Sequence, residues 1–125
     1  MWIAVGYVCG SVPWSILFGK LFGSTDARSV GDGNPGATNA WIASGWKIGV
    51  PVLVLDVSKG IIPVLLALMF VGPPKELLDH VLLGLVWVSP VVGHAWSPFL
   101  RFGGGKALAS SWGVWIALTL SLIHI

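Results

Sequence analysis

The sequence predicts an all-α fold: a polytopic membrane helical bundle with about four spans, one membrane domain over residues 1–125, and glycine-rich cytoplasmic loops. Three observations predict it. The chain is 55% hydrophobic and 10% charged, with a mean hydropathy of +0.87, whereas soluble domains carry about a quarter charged residues. The apolar residues gather into four stretches, each able to cross a hydrocarbon core about 30 Å thick as a helix. Between the first two lies a polar island, Gly31-Asp32-Gly33-Asn34-Pro35-Gly36-Ala37-Thr38-Asn39. A soluble core would not surround such a loop with Val, Leu, Ile and Trp, and a plain anchor would not need it.

The first stretch, Trp2 to Phe18, ends at Gly19-Lys20. It lacks a basic leader and a cleavage site, so it reads as a retained helix rather than a signal peptide. Cys9 within it is the only cysteine; it forms no internal disulfide and reads as a small hydrophobe. The second stretch is Ile48 to Gly72, the third Val81 to Phe99, and the fourth runs from Ala107 to the terminus. Pro13 and Pro63 should kink their helices, which a bilayer tolerates where neighbours satisfy the freed carbonyls. Gly6, Gly10, Gly84 and Gly113 permit close helix contact. Trp41, Trp46 and Trp96 fall near the expected membrane interfaces.

Charge sets the orientation. Lys20, Arg28 and Lys47 lie in the first loop and Arg101 and Lys106 in the third, against Lys75 alone in the second, where Glu76 and Asp79 balance it. Cations concentrate on the cytoplasmic side of membrane proteins, so loops one and three are expected in the cytoplasm and the N-terminus outside. A net charge of +2 without a basic stripe gives no nucleic-acid footprint.

Three features could carry chemistry. In the island, Gly31, Gly33 and Gly36 permit positive φ and close backbone approach, and successive amides in such a turn form an anion-binding concavity. Asn34, Thr38 and Asn39 add donors, and Arg28 adds charge from just upstream; the plain alternative is a connector. The second feature is Gly103-Gly104-Gly105-Lys106 at the start of the fourth stretch. Glycine amides, a helix N-terminus and a lysine make a local phosphate site, or else a flexible turn with a snorkelling lysine. Leu100 and Ala107 exclude a Walker A loop, which needs a glycine and a Ser/Thr there. The third feature is Asp56, Lys59 and His94 within or beside the spans. Asp56 and Lys59 are spaced to pair on a helix, and paired charges at membrane depth are either functional or a structural ion pair. His94 could bond a ligand oxygen or act as a general base. His80 and His124 have uninformative surroundings. No Gly-x-Ser-x-Gly elbow occurs, and the scattered histidines do not suggest a metal site.

Gly10-Ser11-Val12-Pro13, Asp26-Ala27-Arg28, the Gly31 to Asn39 island, Asp56-Val57-Ser58-Lys59-Gly60, Gly93-His94 and Gly104-Gly105-Lys106 follow one another in the order found in a known family. In this the chain resembles the bacterial acyl-phosphate:glycerol-3-phosphate acyltransferases of the PlsY type. The resemblance implies an integral enzyme of the bacterial inner (cell) membrane. Such an enzyme moves a fatty acyl group from acyl phosphate to the 1-hydroxyl of glycerol 3-phosphate, giving lysophosphatidic acid for phospholipid synthesis, with no cofactor. The resemblance associates Gly103 to Lys106 with glycerol-phosphate binding. Joined to the residue reading above, it gives His94 and Lys106 as candidate catalytic residues, Arg28, Asp32, Gly33, Asn34, Gly36, Thr38, Asn39 and Gly103 to Lys106 as candidate substrate-binding residues, and Asp56 and Lys59 in support. The family pattern has serine at Asp32, arginine at Ile42 and glycine at Ala107. It also has further spans and a C-terminal segment with a His and an Asn, so the chain is expected to be a C-terminally truncated portion. Two other readings are a non-catalytic or truncated membrane protein binding phosphate-bearing lipid, and a small anion transporter.

Overall fold

The computed structural model describes residues 1–22, 25–72 and 74–123, apart from the side chain of Leu122; His124 lies outside them. Six α-helices follow in order: α1 Trp2–Ser11, α2 Trp14–Leu21, α3 Ala37–Ser44, α4 Trp46–Val71, α5 Leu77–Ala95 and α6 Leu108–Ile123. Short 3₁₀ turns stand at Ala27–Ser29 and Pro98–Leu100, and no strand occurs among the described residues. The described residues are therefore all-helical in their regular structure. Two segments, Trp46–Val71 and Leu77–Leu100, are long and apolar enough to cross a membrane, or three if α1 and α2 count as one bent span. Helix α6 is apolar but shorter.

Several boundaries depart from the sequence reading for local reasons. The first span is not one helix: it breaks before Pro13, and its halves meet at 44°. Proline lacks an N–H and pushes the preceding residue out of the α region; Val12 is extended, with φ −63° and ψ 118°. Pro63, by contrast, lies inside continuous α4. The third span starts earlier, at Leu77, because Glu76 and Asp79 form a reciprocal capping box. The end of the island is not loop: Thr38 and Asn39 sit in the first turn of α3.

Pairing is decided by where backbones can touch. Helix α1 lies on α5, with Gly10 against the backbone of Pro90 and Gly93 against the Tyr7 carbonyl. Helix α4 lies on α6, with Gly60 against the Ser110 carbonyl and Gly113 against that of Val57. A Cβ at any of these four would overlap backbone, so small residues fix the crossings. Gly84 meets nothing within 4 Å and plays no such part. Pro90 deprives the Val86 carbonyl of its usual amide partner, and the Ser89 hydroxyl donates to that oxygen instead, at 2.8 Å. Val54, Leu85, Trp112 and Trp115 face outward while Asp56, Lys59, His94 and Ser110 are buried. That inversion is the pattern of a chain whose solvent is hydrocarbon.

The bundle has two dissimilar ends. Met1, Val71, Lys75 and Asp79 surround a cleft at one. Residues 25–36 and 96–107 meet at the other, so the two glycine-rich elements share an end, as the charge pattern predicts.

Candidate functional site

The site grows from the way α5 ends. Its last carbonyls need donors, and the chain supplies them by folding back through left-handed Arg101 and Phe102, at φ 54° and 64°. The amides of Gly104 and Gly105 then donate to the Ala95 and His94 carbonyls, each at 3.1 Å, and that of Gly103 donates to Leu100. A side chain at Gly104 would overlap the His94 carbonyl. The amide of Lys106 donates to Asn34 Oδ1 at 3.2 Å. All four amides of the glycine-lysine turn are therefore committed within the protein. In this structure these amides donate within the protein rather than into open space: the glycines cap α5 and let it turn sharply. What the turn presents outward is the ammonium of Lys106, mostly exposed.

The island clasps this turn. Gly31 and Gly33 hold positive φ of 56° and 74°, a conformation costly for other residues. Asp32 Oδ1 accepts from the Asn34 amide at 3.1 Å and from Asn39 Nδ2 at 3.0 Å, while Oδ2 lies 2.5 Å from Lys106 Nζ. These donors, Lys106 foremost, hold the Asp32 carboxyl down at about 2. Buried Asn39 also donates to the Val30 carbonyl, tying the loop to α3. The amides of Gly33 and Gly36 bond to Val30 and Asn34 carbonyls and are not free for a ligand. Thr38 is exposed on α3.

Arg28 turns away from the island. Asp26, which caps the first 3₁₀ turn, receives its guanidinium at 2.7 Å, and that contact holds the Asp26 carboxyl below the usual carboxylate range. Arg28 and Lys20 instead rim a cleft of about 350 Å³ walled by Val12, Ile16, Leu17 and Phe99. Sequence reading missed both Lys20 and Asp26 as parts of this arrangement. The Asp-x-Arg spacing was the available signal for the ion pair, since an Asx cap places its carboxylate beside the second residue on.

Beneath the loops lies a buried polar cluster. Asp56 Oδ1 and Lys59 Nζ are 2.8 Å apart, at 2% and 3% exposure. Lys59 also donates to the Val12 carbonyl at 3.0 Å, so the break at Pro13 gains a cation. His94 Nδ1 stands 4.0 Å from Asp56 Oδ1 and 3.4 Å from the Ser110 hydroxyl, which itself lies 3.2 Å from the Asp56 carbonyl. The other ring nitrogen, Nε2, lies beside Gly105, where a Cβ would come within 2.6 Å both of it and of Asn34 Oδ1. Lys59, His94, Pro35 and Gly105 all line a small cavity of about 10 Å³. Ser110 was also missed; its position one turn into α6 after Lys106 carried no signal without the α4–α6 crossing. The fold thus joins Asp32, Asn34, Asn39, Gly105 and Lys106, with His94 below, and leaves Arg28 and Thr38 apart.

Comparison with known proteins fits this geometry. A family model described as Glycerol-3-phosphate acyltransferase matches residues 1–125. The Thermotoga maritima protein named Glycerol-3-phosphate acyltransferase 1 is 40% identical over 117 residues, 94% of this chain and 56% of that one. A Leptospira borgpetersenii glycerol-3-phosphate acyltransferase is 43% identical, over 92% of this chain and 51% of its own. The chain thus spans about half the length of these curated relatives. The crystal structure of PlsY, an integral membrane glycerol 3-phosphate acyltransferase, superposes in its glycerol 3-phosphate form with a TM-score of 0.83. The two are 38% identical, over 97% of this chain and 57% of that one. The lysophosphatidic acid form of PlsY gives a TM-score of 0.81 at 36% identity.

Proposed function

We propose, since the chain belongs to the glycerol-3-phosphate acyltransferase family, that it transfers a fatty acyl group from acyl phosphate to the 1-hydroxyl of glycerol 3-phosphate. The observation that carries this reading is one convergence. Lys106 is anchored to the island beside Gly105 and the His94 ring, at the bundle end that also holds the apolar, cation-rimmed cleft. A lipid-tailed acyl phosphate needs apolar wall beside cationic charge, and a phosphorylated alcohol needs a cation that fixes it near the acyl carbon.

The chemistry asks little beyond positioning. The acceptor hydroxyl oxygen attacks the acyl carbon, a new ester C–O bond forms, and the acyl–phosphate bond breaks with its electrons leaving on phosphate. Because phosphate is a good leaving group, alignment and stabilisation of negative charge supply most of the acceleration. Lys106 is assigned the anionic charge. His94 Nε2 is assigned the hydroxyl proton or, through one water, its passage. Asn34 and Asn39 set the loop that positions Lys106, and Asp56 and Lys59 support the His94 floor.

In this reading α6 is a fourth span beside the bent α1–α2 pair, α4 and α5. The protein is multi-pass in the bacterial inner membrane, as one domain, with the first and third loops facing the cytoplasm, where Lys20, Arg28, Lys47, Arg101 and Lys106 stand against Lys75 alone in the second.

The test is conversion of labelled glycerol 3-phosphate to lysophosphatidic acid by membranes containing this chain, with acyl phosphate supplied and the host's own acyltransferase absent. Product that disappears in Lys106→Ala supports the reading. Its absence favours a second one, binding of phosphate-bearing lipid without turnover, for which the Asp32 carboxylate seated on Lys106 speaks.

A further inference from the structure

The Asp32–Lys106 contact has the makings of more than a surface ion pair. Exposed pairs are weak because two long side chains must be frozen to form them. Here much of that freezing is done by other bonds. Asp32 is fixed through Oδ1 by the Asn34 amide and by the side chain of Asn39, which is only 4% exposed. Lys106 is fixed at its own backbone by Asn34 Oδ1. The island therefore holds the lysine twice, at the main-chain amide and at the ammonium. The second hold uses a carboxylate oxygen placed where an anionic ligand's oxygen would make its ion pair. With the amides of residues 103–106 committed inside the protein, Lys106 is the one feature of that turn able to attract an anion, and it is already neutralised.

We infer that Asp32 is a built-in competitor for the anion subsite at Lys106, so that a phosphate group binds only by displacing the carboxylate from the ammonium. This inference rests on the reading of Lys106 as the phosphate-binding cation, and it makes Asp32 the residue that sets the affinity and selectivity of the acceptor site. Two consequences follow. An acceptor carrying a phosphate dianion meets both an occupied cation and a fixed negative charge at contact distance. Removing that one charge should therefore strengthen phosphate binding by about tenfold, between the effect of a unit charge about 4 Å away in bulk water and its larger effect near a protein surface. Selectivity should change as well, because a dianion suffers from the carboxylate more than a monoanion does.

Direct binding decides the matter without requiring turnover. The dissociation constants of inorganic phosphate and of glycerol 3-phosphate would be measured by calorimetry on the detergent-solubilised chain. Wild type, Asp32→Asn, Asp32→Ser and the double variant Asp32→Asn with Lys106→Ala would be compared. Asp32→Asn keeps an acceptor oxygen for the Asn34 and Asn39 donors, and the helical circular dichroism of each variant confirms that it folds. The expected result is about tenfold tighter phosphate binding in both single variants, lost in the double variant. Equal affinity in wild type and Asp32→Asn overturns the inference, as does a gain that survives removal of Lys106, or no measurable binding by any form. Turnover is read separately: an active wild type whose phosphate affinity is unmoved by Asp32→Asn removes the competitor role and leaves the acyltransferase reading standing.

Discussion

Replacing Lys59 by Met removes a charge from a place where its partner cannot follow it into water. Both Asp56 and Lys59 are at most 3% exposed, and their charges are 2.8 Å apart. Met keeps the unbranched stem, so the side-chain volume is largely retained and the loss is electrostatic. It leaves the Asp56 carboxylate enclosed with only His94 Nδ1 at 4.0 Å as a possible counter-charge. It also takes from the Val12 carbonyl a charge-assisted hydrogen bond of 3.0 Å, an interaction worth about 1.5–3 kcal/mol on its own. Stranding one member of a buried pair costs about 3–5 kcal/mol in all. Asp56→Asn added to Lys59→Met discharges the stranded group, so the double variant should cost less than the sum of the singles, with a coupling of about 0.5–3 kcal/mol. The assay is reversible unfolding in mixed micelles with increasing dodecyl sulfate, followed by the fluorescence of the eight tryptophans. A loss below about 1 kcal/mol for Lys59→Met, or single costs that simply add, would refute the reasoning.

Other expectations follow from single contacts. Gly60→Ala sets a methyl against the Ser110 carbonyl at the α4–α6 crossing, so the same unfolding assay should show a loss of about 1–3 kcal/mol, with Gly84→Ala near neutral. Ala107 is buried at 3% exposure and holds φ 57°. Relief of about 1–2 kcal/mol in Ala107→Gly offsets a lost methyl contact of about 0.8 kcal/mol and glycine's chain entropy, leaving stability within about 1 kcal/mol. Ala107→Val, β-branched at positive φ, should lose clearly more, and equal tolerance of Gly and Val would remove the backbone argument. Lys106→Ala should abolish glycerol-phosphate use while moving the unfolding midpoint little, because that side chain is mostly exposed. The Asp32 carboxyl is held down at about 2, below its unfolded value near 3.9. Its folded-state contribution is thus complete above that unfolded value and fades as pH falls toward the folded one. Asp32 itself should therefore add no pH dependence to the affinity ratio of Asp32→Asn to wild type from about pH 5 to 8. The ratio should rise only with the ligand's own monoanion-to-dianion step at about pH 6, as titration with glycerol 3-phosphate at several pH values would show.

Much of this protein is legible before any coordinates. The excess of apolar over charged residues names the solvent, and the grouping of cations puts the two glycine-rich elements at one end, where the structure has them. The Asp56–Lys59 pair is equally readable, because a helix alone brings those positions together. These are short-range or compositional facts, and the chain states them directly. The fate of each donor is another matter. The amides of Gly103 to Lys106 look free in sequence, yet the fold spends them on His94, Ala95, Leu100 and Asn34. Nothing local says that α5 will end with carbonyls aimed at that turn. Arg28 stands near the island in sequence but prefers Asp26, and Lys106 finds Asp32 from far along the chain. Sequence by itself determined which residues are polar, that the first span breaks at Pro13 and that the two glycine-rich elements share an end of the bundle. Only the tertiary structure decided which donor meets which acceptor, because that depends on helix crossings set by backbone contacts at Gly10, Gly60, Gly93 and Gly113, whose partners lie on other helices.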